Sequence, residues 1–213
     1  MQIKLQQVVP VFIEEEKISN SGLWKQDIVF SAGEKVQIVA PSGSGKTSLI
    51  HFMYGMRRDY TGTIAYDEQA ISGWNAEDFS SWRRQYISIV FQDLRLFPEH
   101  TVLQNLEVKR QLQPYHDASM IEEMARRLGI HNKLGKLCRT CSYGEQQRIA
   151  IIRSLQQPFD LLLLDEPFSH LDDNNRKKAM ELMEEEAAKR NAGIILADLK
   201  TTDHYHATRT LNL

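Results

Sequence analysis

Val36-Gln37-Ile38-Val39-Ala40-Pro41-Ser42-Gly43-Ser44-Gly45-Lys46-Thr47-Ser48-Leu49-Ile50-His51-Phe52-Met53 decides the fold of this chain. The apolar run ending at Val39 reads as a buried strand, and the run from Ser48 reads as a helix. Between them, Ala40 to Thr47 has the composition of a loop that wraps a phosphate chain. Gly43 and Gly45 let backbone N–H groups turn inward into a concave anion nest, and the helix N-terminus adds partial positive charge. Placed there, Lys46 reaches the β- and γ-phosphates, and Thr47 offers its hydroxyl to a Mg²⁺ ion bridging the same oxygens. The pattern usually opens with Gly. Ala40 is the next smallest residue and precedes the part of the loop that touches phosphate. A Gly/Ser linker would not sit between a buried strand and a helix with Lys-Thr at the junction.

A second stretch answers the first. Leu161-Leu162-Leu163-Leu164-Asp165-Glu166 is an apolar strand that ends in two carboxylates, as a parallel sheet does at its C-terminal edge. Asp165 suits coordination of the Mg²⁺ held by Thr47, and Glu166 suits polarising a water for in-line attack on the γ-phosphate. Such a strand end is ambiguous alone; beside Lys46-Thr47 it reads as half of a nucleotide site. Ser142-Tyr143-Gly144-Glu145 is a capping box for a helix continuing through Ile149, Ile151 and Ile152. That capped N-terminus, with the small Gly144, is also a place for an anion.

Working outward, Ile3 to Phe30 suggests antiparallel strands, clearest from Trp24 to Phe30, and Gly62 to Tyr66 suggests another. Asn75 is positioned to cap a helix carrying Phe79 and Trp82, ahead of a strand from Tyr86 to Phe91. From about residue 92 to 141 the pattern becomes helical. Thr101 and Asp117 are candidate caps, Val102, Leu103, Leu106, Met120, Ile121, Met124 and Leu128 form apolar faces, and Gly129 is a stop. The chain then returns with a polar helix from about Asp172 to Arg190, a strand from Ile194 to Ala197 and a final edge strand from Arg209. Glu14 to Glu16 and Glu184 to Glu186 read as solvated faces.

The chain of 213 residues suits one domain with a helical subdomain inserted into it, residues 1–91 and 142–213 forming the nucleotide-binding core. A formal charge of -2 gives no basic excess for nucleic acid. No run approaches a membrane span and the N-terminus lacks signal-peptide character, so a cytoplasmic location is expected. Cys138 and Cys141 form a C-x-x-C with too few neighbouring ligands for zinc, and read as reduced, incidental thiols.

The ordered set Ala40 to Ser48, Gln92 after Val90-Phe91, Ser142 to Arg148, Leu161 to Pro167 and Ser169-His170-Leu171-Asp172 resembles the ATP-binding cassette (ABC) ATPases over nearly the whole chain. The resemblance implies an α/β fold: a P-loop NTPase core with a mixed sheet, an N-terminal antiparallel β subdomain and an inserted helical subdomain. It implies ATP and Mg²⁺ as ligands. It also implies a sandwich dimer, here a homodimer, in which the phosphate loop of one subunit and the signature helix of the other enclose each ATP. By resemblance, Ala40, Pro41, Ser42, Gly43, Ser44, Gly45, Lys46, Thr47 and Ser48 form the nucleotide-binding loop, and Thr47, Gln92 and Asp165 hold the metal. Glu166, Gln92 and Lys46 serve catalysis, Ser142 and Gly144 contact the γ-phosphate in trans, and Asp172 crosses the dimer interface. Phe12 is the expected adenine platform. Trp82 to Pro98 is similar to the lipoprotein-release, macrolide-export and cell-division branch, whose cassettes drive integral membrane partners from the cytoplasmic face of the inner membrane.

Three positions depart from the pattern. Tyr143 replaces a Gly and Glu145 adds negative charge where the signature opens on phosphate, and Ala197 stands where the family usually has His before Asp198. These departures predict slow hydrolysis, since positioned polar contacts to a transferring phosphoryl group are worth roughly 10²-fold in rate. The leading reading is the energising ATPase of a membrane ABC complex. The alternative is an ATP-clamped regulatory or scaffold cassette with little turnover. A soluble DNA-repair or translation cassette fits poorly, for want of a second cassette, a coiled-coil insert or a basic excess.

Overall fold

The computed structural model describes residues 1–213. The chain enters on β1 (Ile3–Pro10), makes a short helix α1 (Glu15–Ser19), and continues through β2 (Asp27–Phe30) and β3 (Lys35–Val39) into α2 (Lys46–Met53). Next come β4 (Tyr60–Tyr66), β5 (Gln69–Ala70), α3 (Ala76–Gln85) and β6 (Ile87–Val90). Two helices, α4 (Val102–Leu112) and α5 (Ser119–Arg127), precede α6 (Tyr143–Ser154). The chain closes with β7 (Leu161–Asp165), α7 (Asp173–Lys189), β8 (Gly193–Asp198) and β9 (Arg209–Asn212).

The expected mixed sheet resolves into two sheets. One is antiparallel, in the order β2-β1-β4-β5; the other has the order β6-β7-β8-β3-β9, and every pairing in it is parallel. The leucine run of β7 shows why. Leu161 and Leu163 enter a core shared with α2 and the antiparallel sheet, while Leu162 and Leu164 enter a second core shared with α4 to α7. Side chains alternate across a strand, so only a strand covered on both faces tolerates an unbroken apolar run.

The capping signals sit where expected for three helices. Asn75, Thr101 and Ser142 each close a capping box, and Asp172 caps α7 by accepting from the Asn175 backbone. Asp117 does not cap α5: the helix begins a residue later behind Ala118, and Asp117 offers only its carbonyl, to the Met120 N–H. Gly129, at φ +68°, ends that helix.

The N-terminal expectation needs a larger correction. The strand begins at Asp27, not Trp24, and α1 interrupts the presumed strand region. Trp24 has left the sheet because its indole is worth more elsewhere. It is almost wholly buried beneath the phosphate loop, and its backbone N–H bonds to Ser21 Oγ.

All four strands that matter for chemistry, β3, β6, β7 and β8, therefore end on one edge. The strand ends and loops at that edge carry Ala40 to Thr47, Gln92, Asp165-Glu166 and Asp198.

Candidate active site

The loop after β3 is built by its glycines and by a residue the sequence reading missed. Gly43 and Gly45 take φ of +77° and +100°, a region costly to residues with a Cβ, and Gly45 is the N-cap of α2. A Cβ at Gly45 would come within 2.9 Å of the Trp24 ring. The Trp24 indole N–H donates to Ser44 O at 3.2 Å, so the ring props the loop from below. Ser44 Oγ donates to Pro41 O at 2.8 Å and closes the loop on itself.

Lys46 opens α2 with its side chain nearly buried. Nζ donates to the carbonyls of Ala40 and Pro41 at 3.0 and 3.2 Å and lies 3.4 Å from Glu166 Oε1. Thr47 Oγ1 is 3.2 Å from Asp165 Oδ1 and 3.3 Å from Gln92 Oε1. Gln92, from the loop after β6, and Asp165, from the end of β7, thus converge on the Thr47 hydroxyl in the first turn of α2. Asp165 is fully buried and its Oδ2 has no hydrogen-bond partner. Burial pushes its carboxyl up to about 6, the neighbouring Glu166 charge pushes the same way, and the Thr47 hydroxyl opposes them. An orphaned buried carboxylate oxygen beside a hydroxyl and an amide oxygen is the donor set a hard divalent cation takes. Glu166 follows at φ +45°, with its N–H bonded to Ala197 O at 2.9 Å. A non-glycine residue held in that region at a strand end is a mark of a functional site.

A cavity of about 230 Å³ lies over the loop, lined by Phe12, Ser42, Gly43, Gly45, Lys46, Thr47, Ser48, Gln92 and Glu166. Ala40 and Ser44 are buried behind it, Ala40 bonding through its N–H to Asp198 O, and Pro41 is exposed at its edge. Ser48 is buried, and its Oγ accepts from Arg57 at 2.9 Å. Phe12 is half exposed at the rim with one face covered by the Arg57 guanidinium, 4.7 Å from the ring centre. Arg57 is a second residue that sequence reading missed, because it reaches the site only through space.

Ser142, Gly144 and Asp172 do not line this cavity. They belong to a second surface, where the N-terminus of α6 meets the segment after Glu166. A Cβ on Gly144 would come within 2.9 Å of His170 O, and the exposed Tyr143 ring packs edge-on against His170 at 4.2 Å. The buried Gln147 ties the two together, donating to Ser169 Oγ at 3.3 Å and accepting from the His170 N–H at 3.1 Å.

Ala197 is fully buried and brings no polar group to the cavity. Downstream, His206 pairs with Glu184 at 3.7 Å, and Glu184 in turn holds Lys35 at the start of β3, the far edge of the sheet. His206 is therefore remote from the phosphate loop. Cys138 and Cys141 are free and buried, with burial raising the Cys138 thiol to about 11, and no cluster of metal-ligating side chains surrounds them. No helix is long and apolar enough to cross a membrane.

A family model described as ABC transporter matches residues 25–169. The chain is 32% identical over 160 residues to the lipoprotein-releasing system ATP-binding protein LolD of Idiomarina loihiensis, covering 74% of this chain and 70% of that one. It is 34% identical over 179 residues to LolD of Hydrogenovibrio crunogenus, covering 82% and 78%. Among solved structures, the dimeric bacterial ABC transporter cassette MJ0796 superposes with a TM-score of 0.81 at 23% identity, over 93% of this chain and 88% of that one.

Proposed function

The chain belongs to the ABC transporter family, as an ATP-binding and ATP-hydrolysing subunit that energises a membrane transporter; from that premise we propose how its own residues carry the work. The observation that carries the reading is the convergence of Lys46, Thr47, Gln92 and Glu166 on one cavity, with the buried Asp165 bonded to Thr47 behind it. The loop N–H groups and Lys46 hold the β- and γ-phosphates. Thr47, Asp165 and Gln92 hold Mg²⁺, which when bound with ATP draws charge from the phosphate oxygens. Glu166 orients the attacking water and accepts its proton, and Phe12 stacks on the adenine. Ser142, Gly144 and Asp172 complete the site of a second copy, whose phosphate loop faces them across a homodimer.

The membrane partner is an integral subunit of the lipoprotein-release type, named for the LolD relatives, and the chain works as a peripheral subunit on the cytoplasmic face of the inner membrane. The 92–141 helical subdomain and Gln92 engage that partner. Two measurements test this reading. The Glu166→Gln variant forms a dimer on size exclusion only with ATP and Mg²⁺, and the tagged chain brings down an integral membrane protein from solubilised membranes. A monomer under all nucleotide conditions, or a soluble partner only, overturns it.

The buried Ala197 and the exposed Tyr143 favour a second reading, in which ATP clamps the dimer and turnover is very low. Steady phosphate release by the purified chain with its membrane partner decides against the clamp.

A further inference from the structure

We propose that Arg153 is a positioning residue for the nucleotide site: from the last turn of α6 it holds the loop after β6 in the conformation that presents Gln92 to Thr47. The inference rests on the role given to Gln92 above. The Gln92 side chain is exposed and has one hydrogen-bond partner, Thr47, so the backbone of its loop must set its position. That backbone is unusual. Leu94 and Arg95, consecutive residues with side chains, both sit in the left-handed region at φ +57° and +48°. Such residues visit that region singly and at a cost, so two in a row need external support.

Arg153 supplies it. Nη2 donates to Leu94 O and Nη1 to Arg95 O, each at 2.7 Å, so one planar fork grips both strained peptides. The guanidinium is buried, and no carboxylate lies within ion-pair distance. A buried cation without a counter-ion is retained only where neutral acceptors satisfy it, and here the acceptors are the loop itself. The loop's own bonds are short-range: Leu94 N–H to Phe91 O at 3.1 Å and Arg95 N–H to Asp93 O at 2.6 Å. Leu94 also enters the apolar core that contains Ile149 and Ile152 of α6. Since Ser142 caps the start of α6, the fork joins the helix at the second anion surface to the loop at the first.

The test uses the full chain. In Arg153→Lys, hydrogen exchange at the Leu94 and Arg95 amides accelerates at least tenfold while the β3 amides are unchanged. ATP hydrolysis falls about tenfold with KM within twofold, and adds no further loss in a Gln92→Ala background. Because Arg153 is buried, a second pair leaves it untouched: the exposed Arg95 is replaced by Val, which resists the left-handed region, or by Gly, which does not. Arg95→Val reproduces the faster exchange at Leu94 and Arg95→Gly stays near the parent. Unchanged exchange in Arg153→Lys, equal exchange in the Val and Gly variants, or additive losses with Gln92→Ala overturns the proposal. If Gln92→Ala alone leaves hydrolysis intact, the role of Gln92 fails, while the exchange measurements still decide whether Arg153 holds the loop.

Discussion

Lys46 Nζ stands 3.4 Å from Glu166 Oε1, so the cation proposed to receive the phosphates is paired with the carboxylate proposed to activate the water. Both side chains are largely withdrawn from solvent, and on the proposed roles the nucleotide displaces this contact when it binds. Glu166→Gln removes the competing charge. The expected outcome is ATP affinity raised about threefold by equilibrium dialysis, with phosphate release reduced 10²-fold or more through loss of the general base. Weaker ATP binding by the variant would show that Glu166 helps to shape the loop instead of competing for Lys46.

Asp165 sets a pH dependence whose sign differs between the free and the loaded chain. Burial raises its carboxyl to about 6, so the folded chain holds this proton more tightly than the unfolded one. Its contribution to stability is present at low pH and is lost as pH rises through about 6. Cation binding at Asp165, as proposed, needs the carboxylate and runs the other way. Mg²⁺-dependent ATP binding should therefore weaken as pH is lowered through about 6, and Asp165→Asn should abolish that dependence. The same variant should stabilise the nucleotide-free chain at pH 7.5 by about 1–2 kcal/mol, read as a Tm raised a few degrees. An unchanged Tm would mean that the buried charge is compensated.

What was legible in the sequence is what local chemistry fixes. The loop glycines, the strand that ends in Asp165-Glu166 and the capping boxes at Asn75, Thr101 and Ser142 each depend on residues within a few positions of one another. Trp24, Arg57 and Gln147 were not legible, because each acts on a loop that is distant in sequence and adjacent only once the sheet has formed. Trp24 shows the failure plainly. An aromatic ahead of Asp27 to Phe30 fits a strand by pattern, but its ring fills the space beneath Gly45, and that outweighs pairing.

Glu186 is fully buried on α7 and is held by Lys189 and Arg190 at 2.6 Å and by His116 at 2.5 Å. Burial alone would raise its carboxyl, but these three partners outweigh it and bring it down to about 2. A depressed carboxyl stabilises the fold above its ordinary value of 4.5, and that stability is lost as pH falls toward 2. Glu186→Gln should cost about 3 kcal/mol in urea unfolding at pH 7, because Arg190 is left buried and unpaired. The acid limb of the stability curve should flatten below pH 4.5. A parallel shift of the whole curve would place the acid sensitivity elsewhere.

Ala197 lies opposite Asp165 on the neighbouring strand, and no side chain in that pair reaches for a phosphate from β8. Ala197→His adds an imidazole there. Hydrolysis by the complex with its membrane partner should rise about tenfold, a part of the roughly 10²-fold that a well-positioned donor at a transferring phosphoryl group is worth. The buried position will cost some stability, so Tm is measured beside the rate. A folded variant with an unchanged or lower rate would mean that the chain's slow step is not stabilisation of the γ-phosphate.

Phe12 and Arg57 should separate recognition of the base from recognition of the phosphates. Arg57 covers one face of the Phe12 ring, bonds Ser48 Oγ at 2.9 Å and pairs with Asp59, leaving the other face of the ring at the cavity rim. Phe12→Ala should weaken ATP binding about tenfold and leave tripolyphosphate binding unchanged, since stacking on one aromatic is worth roughly 1–3 kcal/mol. Arg57→Ala frees the ring but keeps it, so it should weaken ATP about threefold, again without touching tripolyphosphate. Equal losses for both ligands in Arg57→Ala would assign Arg57 to α2 through Ser48. No loss for either ligand in Phe12→Ala would remove Phe12 from the site.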